Sequence, residues 1–61
     1  DAMMLYNVAC TYSLLGRPDE AINSLERAVD KGFGHKEWID NDPDLNPIRD
    51  NPRFQTIAQA I

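Results

Sequence analysis

Apolar residues recur at helical spacing from Ala2 to Leu15, where Leu5, Val8, Ala9, Tyr12 and Leu15 form one stripe. Small Ala9 between the larger Leu5 and Tyr12 predicts close approach of a neighbouring helix at that point. Gly16 suits the position just past a helix end, because glycine accepts positive φ at little cost. Pro18 suits the first turn of the next helix, where its missing N–H removes no bond. Asp19 and Glu20 then place carboxylates against the positive end of the helix dipole. Ala21, Leu25 and Ala28 mark the inner face of this second helix, Ile22 and Val29 flank it, and Gly32 and Gly34 end it. So short a link between the two helices predicts that they lie antiparallel.

The remainder is patterned differently. His35 to Asp40 reads as a short helix carrying Trp38 and Ile39, and Asn41 to Pro47 combines two prolines with Asp and Asn in turn chemistry. Pro47-Ile48-Arg49 reads as a single helical turn. Asn51-Pro52 reads as an N-cap followed by the first helical residue. Phe54, Ile57, Ala58 and Ile61 then follow the i, i+3, i+4, i+7 rule of a final amphipathic helix. With no strand pattern, the expectation is an all-α fold. A helical hairpin over residues 2–34 is followed by a terminal segment over 35–61 made of a short helical stretch and a C-terminal capping helix.

Length and charge narrow the function. Sixty-one residues make one domain, and a chain of this size buries only roughly 60% of its unfolded surface. Cys10 is the only cysteine and His35 the only histidine, so neither a disulfide nor a zinc cluster of Cys and His can form within the chain. A reducing, cytoplasmic setting fits. Net charge is −4, with acids concentrated between Asp40 and Asp50, which opposes nucleic-acid binding. No apolar run reaches the length of a membrane span. Because Asp1 already stands at the start of a helical pattern, the chain is expected to be part of a longer one.

Residues 1–35 resemble a tetratricopeptide repeat. Leu5, Val8, Ala9 and Tyr12 stand at the spacing of its first block, Ala21 and Leu25 at that of its second, with Gly16 at the turn and Ala28 in the second helix. The departures are Leu for Trp, Val for Leu, Ala for Gly, Leu for Phe, and Phe33 where proline is common. The run from Asp42 to Phe54 looks like the tail that follows the last repeat in many bacterial members of this family. Repeat arrays need polar-faced caps, so Trp38, Ile39, Ile48, Phe54 and Ile57 are expected to cover the outer face of the second helix.

The resemblance implies protein–protein interaction, with a peptide or partner protein held on a concave face lined by the first helix. Carried over by spacing, the candidates are Met3, Tyr6, Asn7, Cys10, Ser13 and Leu14. Asn7 would hydrogen-bond a peptide backbone or a terminal carboxylate. None of the six is Lys or Arg, which disfavours a clamp for a carboxylate tail. Met3, Met4 and Tyr6 would give an adaptable surface, or would pack on a preceding repeat. Left bare, that helix face would drive self-association. The alternatives are a structural terminus that closes a longer array, and a regulatory segment of a signalling enzyme such as a nucleotide cyclase or protein kinase.

Other chemistry is thin. Asp40, Asp42 and Asp44 begin like a calcium loop, but Leu45 and Asn51 stand where Gly and Glu are required, and Pro43 intrudes. Cys10 and His35 lack sequence neighbours that would make a nucleophile or a base. Trp38 reads as a packing anchor, and Arg49 and Arg53 as weak partners of acids or helix ends. No catalytic set, cofactor motif or metal constellation is expected, so the chain reads as a binding module rather than an enzyme.

Overall fold

The structure is a computed structural model that describes all 61 residues. Four α-helices and one 3-10 helix follow in order: α1 (Ala2–Leu14), α2 (Pro18–Asp30), α3 (Lys36–Asn41), the 3-10 helix (Pro43–Ile48) and α4 (Pro52–Ala60). The all-α expectation holds, as does the antiparallel hairpin of the first two helices.

Local chemistry accounts for each boundary. The Asp1 carboxylate accepts from the Met4 amide and caps α1. Gly16 adopts φ +74°. The amides of Gly16 and Arg17 donate back to Ser13 and Tyr12, which is a Schellman closure. Gly32, at φ +104°, repeats the device at the end of α2, with Phe33 donating to Ala28. There the residue after the glycine is a large aromatic, and it turns into the core. Pro18 and Pro52 both open their helices, and the Asn51 side chain accepts from the Arg53 amide, as the sequence predicts. The predicted single turn at Pro47 is longer, because Asp42 caps a 3-10 helix that already starts at Pro43.

Ala9, Ala21 and Ala28 are fully buried where α1 meets α2, beside Ile22 and Leu25. The tail supplies Ile39, Leu45, Ile48, Phe54 and Ile57 to the same core. Its placement meets in part the expectation that it covers the outer face of α2, since α4, with Phe54 and Ile57, packs on that helix. The 3-10 helix packs chiefly on α1 and less on α2. Trp38 is not a buried anchor but stays 40% exposed. Polar ties fix the tail from outside: Lys36 Nζ donates to the Ala58 carbonyl at 2.8 Å, and Arg53 reaches Glu26 at 3.0 Å and Asn23 at 2.8 Å.

The core face of α1 also departs from the stripe read in the sequence. Tyr6, Ala9, Cys10 and Ser13 are buried, Leu5 and Tyr12 are half-buried, and Val8 and Leu15 are exposed. Between Asp1 and Arg17 the helix has no charged residue, so apolarity surrounds it and periodicity alone does not select the inner side. In α2 the charges do mark the outside, and its expected inner residues are all buried.

Candidate functional site

Two sides of α1 carry the six candidate residues, and they meet different fates. Tyr6, Cys10 and Ser13 are buried, Tyr6 and Cys10 of them against Asp42 of the tail, while Met3, Asn7 and Leu14 remain exposed. Half of the predicted groove is therefore filled by the chain itself. Tyr6 stacks on Phe33 with ring centroids 4.4 Å apart and planes 8° from parallel. Trp38 and His35 extend this aromatic group towards the surface.

The polar centre of the closed side is Asp42. Its carboxylate accepts from the Tyr6 hydroxyl at 2.6 Å, the Asp44 amide at 3.0 Å and, over a longer contact of 3.8 Å, the Cys10 thiol. Arg49 donates to the main-chain carbonyls of Ile39 and Asp42 at 2.9 Å each, so the same turn is held on its backbone side. The bond from Tyr6 holds the Asp42 carboxyl below its ordinary 3.8, against a smaller opposing effect of desolvation. Burial, reinforced by the bond to Asp42, pushes the Tyr6 phenol well above 10.0. Burial and then the nearby Asp42 charge push the Cys10 thiol up to about 11. At neutral pH the group is thus one carboxylate with two protonated donors.

Cys10, Asp42 and Asp44 bring three potential metal ligands within 4.8 Å of one another. Their chemistry argues for a structural joint instead. Both Asp42 oxygens already accept hydrogen bonds, and a thiol this basic offers no thiolate at neutral pH. Asp40, the first acid of the calcium-like run, pairs with Lys36 at 3.6 Å and takes no part.

The open side of α1 is a shallow depression of about 700 Å³ lined by Asp1, Met3, Met4, Asn7, Val8, Thr11 and Tyr12. Met4 is 61% exposed and Leu15, one turn beyond the depression, 65%. Five of the six large apolar side chains left exposed belong to this helix or its cap. The candidates Met3 and Asn7 fall in the depression, whereas Leu14 lies outside it. Sequence reasoning missed Val8 and Thr11 as surface residues. The signal was present in the spacing of Met4, Val8, Thr11 and Leu15, a second stripe beside the one chosen as core.

No family model and no solved structure matches the chain. It is similar to a chloroplastic protein of Arabidopsis thaliana, with 36% identity over 56 residues, 92% of this chain. The match covers 17% of that protein, so the chain spans about a sixth of the relative's length. No helix is long and apolar enough to cross a membrane.

Proposed function

We propose that the chain is a non-catalytic protein-interaction module of tetratricopeptide type, holding a peptide or partner helix on the open side of α1. The observation that carries this reading is the concentration of exposed Met3, Met4, Val8, Leu14 and Leu15 on one uncharged helix. Methionines adapt to varied partner shapes, and Asn7 supplies an exposed amide beside them for a backbone contact. A reducing, aqueous compartment suits the unpaired Cys10; the cytoplasm is the first reading, and the chloroplast named for the relative is the second.

Panning a displayed library of short helical peptides against the chain tests this. Enriched peptides should bind the wild type and lose at least about tenfold in affinity, near 1.4 kcal/mol, for Met4→Glu. Asn7→Ala should weaken those peptides by a smaller factor. No enrichment, or binding indifferent to Met4→Glu, would favour a second reading, in which the chain is a structural terminus of a longer array. That reading draws on the tail's occupation of Tyr6 and Cys10.

A further inference from the structure

We infer that the shallow cavity beside Trp38 binds the arginine side chain of a partner protein. The cavity shares no residue with the open depression on α1, so it stands or falls separately from the function proposed for that face. Trp38 is the one large apolar side chain left exposed outside α1 and its cap. It is nevertheless held in place. The His35 ring stacks on it at 4.7 Å and 20°, and Tyr6 and Phe33 brace it with ring centroids at 5.8 and 6.1 Å. An indole fixed in this way and still 40% exposed offers contact area with little rotamer freedom left to lose on binding. Tryptophan is also enriched where such contacts carry most of the binding energy.

Glu37, Trp38, Asn41 and Asp42 line the cavity. On α3 and its C-cap they form two neighbouring pairs, Glu37 with Asn41 and Trp38 with Asp42, each four residues apart and so one above the other. Apart from the indole N–H, the side chains present acceptors. Asn41 donates its amide N–H to the Glu37 main-chain carbonyl at 2.9 Å, which leaves its side-chain oxygen to accept. The Glu37 carboxylate has only the His35 imidazole beside it, at 3.5 Å. The Asp42 carboxylate is met by uncharged donors alone, and its Oδ1 accepts only from the Asp44 amide, so a lone pair is left over. Arg49 is tied to main-chain carbonyls, and no lysine or arginine lines the cavity. An aromatic surface flanked by two carboxylates and an amide oxygen calls for a cation with several N–H donors. Arginine suits it better than lysine, because a guanidinium is planar, stacks on aromatic rings and presents five donors in a fork. At about 250 Å³ the cavity falls below the ~300–1,000 Å³ of small-molecule pockets, which fits one side-chain head rather than a whole ligand. The net charge of −4 favours approach of a basic partner.

Trp38 is the only tryptophan, so its indole N–H resonance reports on the site directly. The probe is a capped pentapeptide of glycines with a central arginine, titrated at about pH 8, above the ordinary range of imidazole protonation. It should shift that resonance to saturation with a Kd on the order of millimolar, as a few weak surface contacts allow. The same peptide with citrulline, which keeps the shape and removes the charge, should give no saturable shift. The lysine peptide should bind more weakly than the arginine peptide. Glu37→Gln should weaken arginine binding roughly threefold. Asp19→Asn, which removes an equal charge from the exposed start of α2, should leave it unchanged. Glu37 and Asp19 both lie on the surface, and circular dichroism should show both variants folded. No saturable shift with the arginine peptide, an equal response to citrulline, lysine bound as tightly as arginine, or indifference to Glu37→Gln overturns the inference.

Discussion

The Asp42 carboxylate accepts from Tyr6, Cys10 and the Asp44 amide together, an arrangement that exists only when the tail is docked. Its folded pKa is depressed, so its contribution to stability is present above the unfolded value of 3.8 and is lost as pH falls through the lower folded value. The Cys10 and Tyr6 values are raised, so their contributions are present below 9.0 and 10.0 and are lost as pH rises beyond those points. Denaturant melts should therefore show a stability plateau between about pH 4 and pH 9, falling on both sides. Cys10→Ala should delay the alkaline fall. An unchanged alkaline limb in that variant would show that the thiol is not coupled to folding. Ser13 gives a second test at this scale. Its hydroxyl is buried without a hydrogen-bond partner, so Ser13→Ala should be neutral or stabilising by up to about 1 kcal/mol. A clear loss in a thermal melt would contradict that.

The helices differ in how far their own residues disclose them. Gly16, Pro18, Gly32, Asn51 and Pro52 punctuate the chain so strongly that the hairpin and α4 are legible in order and extent. The 3-10 helix was only half legible, since its cap depends on the Asp42 side chain returning to the Asp44 amide. The orientation of α1 was not legible, because a helix apolar on every side is turned by what it packs against. The joint between Tyr6 and Asp42 was likewise hidden, since it depends on tertiary contact. These element contacts make a truncation informative. A chain ended after Lys31 loses Phe33, Leu45 and Ile48 from the α1 side of the core, so its hairpin amides should lose most of their hydrogen-exchange protection. Undiminished protection in α1 would show that the hairpin stands alone and the tail is merely attached.

As a whole, the molecule has a Cα radius of gyration of 9.8 Å, near the roughly 10 Å expected of a compact chain this long, so the tail is an integral layer of the core. Total stability for such a chain is only about 3–9 kcal/mol, and a hydrogen bond to a charged group contributes about 1.5–3 kcal/mol. The Tyr6–Asp42 bond is therefore a sizeable share of what holds the fold, and it has a consequence for the order of events. Its partners stand 36 residues apart, and bringing such distant points together costs chain entropy that the local α1–α2 contacts avoid. The joint should form after the rate-limiting step. Tyr6→Phe should accelerate unfolding and leave the refolding rate almost untouched, a φ-value near zero in a stopped-flow chevron. A slowed refolding arm would mean that the tail is gripped before the hairpin is complete. A joint that closes last leaves the Tyr6 and Cys10 face of α1 open to solvent until the tail docks, so that face is the last part of the core to be protected as the chain folds.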